Sequence, residues 1–180
     1  MFDIVLYEPE IPQNTGNIMR TCVAIGATLH LIEPLGFRID EARLRRSALD
    51  YYESLKMHIY PDFETFKQKN PGKYLFLSRY GKKNYADIDY KSIAQKIYLI
   101  FGKESTGVDR NLLAQHLDDC YRIPTTDKVR SLNLANAVAI VSYEVLRQFD
   151  YGNLSKEEPD AHKGRDFLDQ FKENDDEENR

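Results

Sequence analysis

Three short stretches of the chain group glycine, asparagine, hydroxyl and charged residues in spacings that suit the handling of an anion or a nucleotide. The first is Pro12-Gln13-Asn14-Thr15-Gly16-Asn17, with Arg20 a helical turn further on. Gly16 permits a tight backbone turn, and the free N–H groups of a helix start can receive an anion. Arg20 has the planar fork for a bidentate contact with a phosphate or carboxylate. A capped helix with Arg20 in a surface ion pair is the competing reading. The second stretch is Phe101-Gly102-Lys103-Glu104-Ser105-Thr106-Gly107. There Glu104 could accept from a ribose, an amine or Arg20, or could instead cap the helix that follows. The third runs from Ile123 through Arg130-Ser131-Leu132-Asn133 to Ala137. In it Asn133 and Asn136 share a helix face, an unfavourable arrangement if both are buried without partners.

Other chemistries lack their signatures. The order Gly-x-x-x-x-Gly-Lys-Ser/Thr of a phosphate-binding loop does not occur, and neither does the dinucleotide-binding glycine pattern. No Gly-x-Ser-x-Gly elbow supports a serine hydrolase. His30, His58, His116 and His162 stand in no metal-ligand spacing, and Cys22 and Cys120 form neither a redox pair nor a disulfide framework. No apolar run reaches the roughly 20 residues of a membrane span, and Met1-Phe2-Asp3 lacks the basic start of a secretory signal. A cytoplasmic protein without a metal is expected.

These loops need a scaffold, and the pattern between them supplies one. Strands are expected at residues 2–6, 28–32, 56–60, 74–78, 96–101 and 120–123, with helices from Asn14 or Thr15 to Ala24 and over 41–46, 62–69, 108–115 and 133–149. Continuous apolar strands alternating with helices point to an α/β fold with a mostly parallel sheet flanked by helices. Open sheets of this kind place ligands just outside their strand ends, where the three stretches fall.

The formal charge of the 180 residues is −4, which taken alone argues against a polyanionic partner. The charge is unevenly spread. Residues 156–180 hold ten acidic and five basic groups, leaving 20 basic and 19 acidic residues in the 155 before them. The body is thus near neutral (+1) and the acidity belongs to a tail, expected to be flexible, that begins at residue 156. Arg38, Arg43, Arg45 and Arg46 form one basic cluster, and Arg79, Lys82 and Lys83 surround Gly81 in another. Each reads as a solvated face or, with Arg20, Lys103 and Arg130, as part of a phosphate-reading rim. Nearby tyrosines, Tyr80 among them, offer stacking or hydroxyl contacts.

The motifs Asn14-Thr15-Gly16-Asn17 with Arg20, Ile100 to Gly107, and Arg130 to Ala137 resemble the three motifs of the SpoU-type branch of the SPOUT RNA 2′-O-ribose methyltransferases. The opening IVLYEPEIPQNTGNIMRTC and the segment LRRSALDY resemble its small single-domain TrmL group, which acts on tRNA wobble position 34. The likeness covers roughly residues 1–152 and leaves the tail outside. It implies a deep C-terminal trefoil knot, an exception to the rule that folded chains avoid knots. Bent S-adenosylmethionine would bind against the knot through Leu77, Gly102, Ile123, Ser131 and Leu132, leaving S-adenosylhomocysteine as product. The resemblance further implies Arg20 as first catalytic residue, activating the ribose hydroxyl and gripping the adjoining phosphate. Glu104 would orient Arg20, Asn14 and Asn133 would fix the loops, and Tyr143 would place substrate or pack in the core. Arg20, Arg43, Arg45, Arg46 and Arg130 would hold tRNA. A homodimer is implied, built partly from the alanine-rich face of helix 133–149, with Arg20 beside the partner's cofactor. Another tRNA or ribosomal position, a catalytically silent RNA-binding protein, and an ordinary doubly wound nucleotide-binding enzyme are the alternatives.

Overall fold

The computed structural model describes residues 2–39 and 52–174. Seven strands, β1 (Phe2–Tyr7), β2 (Leu29–Ile32), β3 (Met57–Tyr60), β4 (Lys73–Leu77), β5 (Lys83–Asn84), β6 (Ile97–Gly102) and β7 (Cys120–Arg122), form one sheet in the order β3-β2-β1-β6-β4-β7-β5. Every pairing is parallel. The helices are α1 (Pro12–Ile25), α2 (Phe63–Lys69), α3 (Arg110–Gln115) and α4 (Leu134–Gln148).

Alternation along the central strands builds two cores. Phe2, Ile4 and Leu6 of β1, with Ile97, Leu99 and Phe101 of β6, face α1 and α4. Val5, Tyr98 and Ile100 face the opposite way, toward Phe63 and Phe66 of α2 and Leu113 of α3. Because both faces are covered, the strands read as unbroken apolar runs rather than as alternating ones. No helix among the described residues is long and apolar enough to cross a membrane.

Residues 78–82 alone join β4 to β5, yet β7, nearly forty residues later, lies between those two strands. Their short connection therefore crosses β7 at contact distance. The Ser78 N–H donates to the Tyr121 carbonyl at 2.9 Å, and Arg122 Nη1 donates to the Arg79 carbonyl at 2.8 Å. A Cβ on Gly81 would stand 2.4 Å from the Tyr121 carbonyl carbon, so only glycine lets the two segments lie flush. Strand β7 is thus interposed between two strands that a five-residue connection joins.

Most elements fall within two residues of the expected ones. Helix α1 differs: it starts at Pro12 with Ile11 as an N-cap that makes no side-chain bond, so neither Asn14 nor Thr15 caps it. Both are buried inside the first turns, where Asn14 serves another purpose described below. Strand β5 was not expected, since two residues carry no periodicity. The expected helix 41–46, with Arg43, Arg45 and Arg46, lies outside the described residues.

One polar cluster is buried under the sheet. Asp3 Oδ2 lies 3.2 Å from His30 Nε2, and His30 Nδ1 lies 3.1 Å from the Tyr60 hydroxyl. A carboxylate only accepts, so Nε2 carries the proton toward Asp3, and Nδ1 is paired with the Tyr60 hydroxyl. Lys96 Nζ completes the set at 2.9 Å from Asp3 Oδ1. Burial by itself would raise the Asp3 carboxyl, but the bonds from His30 and Lys96 outweigh it and hold the group below the ordinary value of 3.8. The folded state thus takes up this proton less readily than the unfolded state. Stability from Asp3 is complete above the unfolded value and is lost as pH falls through the lower folded one. Asp3→Asn is expected to cost about 2 kcal/mol at neutral pH and to flatten the acid limb of a urea-unfolding series. An acid limb identical to that of the parent chain would contradict this.

From Ser155 to Phe171 no residue is buried; Leu168 and Phe171 are 71% and 55% exposed. Ion pairs there, among them Lys156–Asp150, Arg165–Glu157 and Arg165–Asp166, are local. Removing residues 157–180 is therefore expected to shift the thermal midpoint by less than about 2 °C. A larger loss in a calorimetric scan would show that the tail supports the body.

Candidate active site

At the C-terminal edge of the sheet the three motif loops meet around a cleft of about 580 Å³. Its walls are built from the ends of β4 and β6, the loop after β7, and the starts of α1 and α4. The loop after β6 closes on itself. Gly107 N–H donates to the Lys103 carbonyl at 2.9 Å, and a Cβ on Gly102 would fall 2.1 Å from Val108 N. That closure turns Glu104 back toward α1.

Glu104 then joins the loops. Its Oε2 accepts from the Glu10 N–H at 2.8 Å, and its Oε1 accepts from the Ile11 N–H at 3.3 Å and from Asn14 Nδ2 at 2.9 Å. Asn14 Oδ1 in turn accepts from Asn133 Nδ2 at 2.9 Å. Asn133 Oδ1 receives the N–H groups of Ala135 and Asn136, capping α4. One continuous chain of hydrogen bonds therefore runs from the second motif through the first to the third. Two further straps run beside it: Lys103 Nζ to Glu8 at 2.6 Å, and Ser105 N–H and Oγ to the Glu10 carboxylate at 3.0 and 2.9 Å. The Glu8 bond raises the Lys103 ammonium above its ordinary range. A carboxylate at the entry to α1 also complements the helix dipole, and the helix has no acidic residue of its own in its first turn.

All five residues expected at the cofactor, Leu77, Gly102, Ile123, Ser131 and Leu132, line the cleft, as do Asn14, Glu104, Asn133 and Arg130. Arg20 and Tyr143 do not. Arg20 is exposed on α1. Glu104 spends its bonds on Glu10, Ile11 and Asn14, which is a different task from orienting Arg20. Tyr143 is 48% exposed, so it is not a core residue. Asn136 is exposed, and Asn133 has partners for both its amide atoms, which removes the desolvation problem the pair posed. Ala135 packs inward, Ala137 and Ala139 are half-buried, and the exposed residues of α4 are Asn136, Ile140, Tyr143 and Arg147. Arg43, Arg45 and Arg46 lie outside the described residues. No cluster of three or more metal-ligating side chains occurs among the described residues.

Sequence reasoning missed Glu8, Glu10, Arg110 and Arg122. The two glutamates sit six and four residues before Asn14, and nothing in that spacing reveals partners ninety residues away. Since Asn14 bonds both Glu104 and Asn133, the two are expected to couple. Glu104→Gln places an amide donor against an N–H and is expected to cost about 1–3 kcal/mol. A double-mutant cycle with Asn133→Ala, read by urea unfolding, is expected to deviate from additivity by at least about 0.5 kcal/mol. Additive losses would separate the loops energetically.

The SpoU rRNA Methylase family profile matches residues 1–143. A tRNA (cytidine(34)-2′-O)-methyltransferase of Saccharophagus degradans is 44% identical over 153 residues, covering 84% of this chain and 97% of that protein. A solved Bacillus anthracis protein superposes with a TM-score of 0.83 at 46% identity, covering 88% of this chain and 100% of that one. A second, from a structural study of 2′-OH methylation of C/U34 on tRNA, gives 0.75 at 39% identity over 83% and 97% of the two chains. An AdoMet-bound rRNA methyltransferase of Sinorhizobium meliloti gives 0.70 at 26% identity over 81% and 56%. Matched over most of its length, and with its three motif loops tied around one cleft, the chain belongs to the SpoU methylase family.

Proposed function

We propose that this chain transfers a methyl group from S-adenosylmethionine to the ribose 2′-hydroxyl of the tRNA wobble nucleotide, cytidine 34 or the 5-carboxymethylaminomethyluridine of tRNALeu, in the cytoplasm. The observation that carries the reading is the hydrogen-bonded chain from Glu104 through Asn14 to Asn133, which holds three loops around one cleft. The Saccharophagus tRNA (cytidine(34)-2′-O)-methyltransferase and the structure from the study of C/U34 methylation support the choice of position.

The cleft suits the cofactor. Leu77, Phe101, Ile123 and Leu132 offer apolar walls for a purine, and the loop backbone offers directed polar contacts. Glu104 is the one acidic residue among those lining it, and its oxygens are already bonded. When bound, S-adenosylmethionine supplies a methyl carbon already activated by a sulfonium. The chain's own residues have to align that carbon with the ribose oxygen and manage one proton. Glu104, Asn14 and Asn133 are positioning residues, holding the cleft's walls in register.

Arg20 is the catalytic residue of this reading. A guanidinium is too weakly acidic to work as a base, so it acts as a permanent charge that stabilises the developing alkoxide and grips the neighbouring phosphate. The proton passes to that phosphate or to water. Arg20 faces outward on α1, and α1 packs on α4, whose exposed strip carries Ile140 and Tyr143. A homodimer formed over this strip would bring Arg20 to the partner's cleft and let Tyr143 help place the substrate. The body then ends near residue 155, with the acidic tail outside the catalytic unit.

Incubation with bulk tRNA and S-adenosylmethionine, followed by nucleoside mapping, is expected to yield a 2′-O-methyl group at nucleotide 34. Product only at another tRNA position or in ribosomal RNA would overturn the assignment. Arg20→Ala is expected to lower kcat at least about 100-fold while S-adenosylhomocysteine affinity stays within about twofold. Unchanged turnover would remove Arg20 from its role.

A further inference from the structure

The mouth of the cleft carries a cationic cluster that neither the cofactor-lining residues nor Arg20 accounts for. After β4 the chain turns tightly, with Gly81 N–H on the Ser78 carbonyl at 3.1 Å and Tyr80 N–H on Ser78 Oγ at 3.2 Å. Because Gly81 lies flush on Tyr121, this turn has little room to shift. It presents Tyr80, 47% exposed, at the cleft wall. The Arg79 guanidinium lies 4.7 Å from the Tyr80 ring centroid and donates from Nη2 to the phenol oxygen at 2.6 Å. Arg110, from the start of α3, stands 5.9 Å from the same ring. Both arginines bear on the same oxygen. The phenol is held below its ordinary range, first by the Arg79 hydrogen bond and then by the charges of Arg79 and Arg110. Arg122 adds a third guanidinium, fixed by its bonds to the Arg79 carbonyl and to Thr125 Oγ1.

Among the described residues none of these three arginines is ion-paired with a carboxylate. The neighbouring acid, Asp109, directs its Oδ1 to the N–H groups of Asn111 and Leu112. Three like charges held close together repel one another, and the arrangement becomes favourable only when an anion joins them. Stacking on the Tyr80 ring and bonding to its hydroxyl also limit the rotamer freedom of the guanidinium groups, so less entropy is lost when an anion binds. The phenol oxygen marks a point on which two arginines already converge, and a charged oxygen is a better acceptor for the same donors.

We infer that Arg79, Arg110 and Arg122, aligned by Tyr80, form a phosphodiester-binding subsite for the RNA strand beside the target nucleotide. This rests on the reading of the protein as an RNA methyltransferase and adds residues that grip the substrate. The amino-acid carboxylate of the cofactor is the other anion within the same chemistry. A phosphodiester fits better, because Arg79, Tyr80 and Arg110 are exposed at the mouth and three cations exceed what one carboxylate needs.

The test is direct binding of bulk tRNA by fluorescence anisotropy across a salt series, with S-adenosylhomocysteine affinity measured by calorimetry on the same proteins. Arg79→Gln and Arg110→Gln are each expected to weaken tRNA binding about 5- to 20-fold at 0.1 M salt and to reduce the slope of log K on log salt by about 0.7–1, with cofactor-product affinity within about twofold. Tyr80→Ala is expected to weaken binding while keeping the parent slope, since it removes alignment and not charge. Unchanged tRNA binding in both arginine variants would overturn the inference. So would loss of S-adenosylhomocysteine affinity with tRNA binding retained, which assigns the cluster to the cofactor. Binding is read without turnover. A parent protein that fails to methylate nucleotide 34 would therefore overturn the proposed function, while the variant data would still decide this subsite.

Discussion

Glu104 leaves the end of β6 with both carboxylate oxygens facing donors from a segment 90 to 94 residues earlier, the N–H groups of Glu10 and Ile11 and the amide of Asn14. The rest of the site depends on this contact. It fixes where α1 begins, it holds Asn14 so that Asn14 can receive Asn133, and through Asn133 it sets the start of α4. A carboxylate suits the position because it is acceptor-only and can serve several N–H donors at once. An amide there would set donor against donor, and an aspartate would be one methylene shorter.

The sheet makes that contact possible. Central strands β1 and β6 are neighbours in register over six residues, so the loops that leave them emerge side by side at the same edge. Interposing β7 between β4 and β5 brings the loop before α4 to that same edge. Parallel strands with both faces covered leave only their ends for ligands, which is where the cleft lies. Gly81 and Gly102 serve this geometry through close approach, each lying where any Cβ would meet backbone.

Electrostatics divides the molecule in the same way. The net charge of −4 describes neither part: the tail is acidic, while the cleft mouth carries Arg79, Arg110, Arg122 and Arg130 around a single, already bonded carboxylate. Surface potential at the site is a local property, because charges more than a Debye length away are largely screened at physiological salt.

All the strands but β5, most of the helices and the three motif loops were legible in the residues, because apolar periodicity and glycine–asparagine clusters are local signals. Membership of the motif residues in one site was legible through resemblance. The helix start at Pro12, the role of Glu104 as a link between loops, the outward strip of α4 and the approach of Arg110 and Arg122 to the Arg79–Tyr80 turn were not. Each depends on contacts between residues 30 to 120 positions apart, and local pattern carries no information about such pairs. The tertiary structure alone decided them, because placing β7 between β4 and β5 and aligning β1 with β6 determines which distant polar groups must satisfy one another.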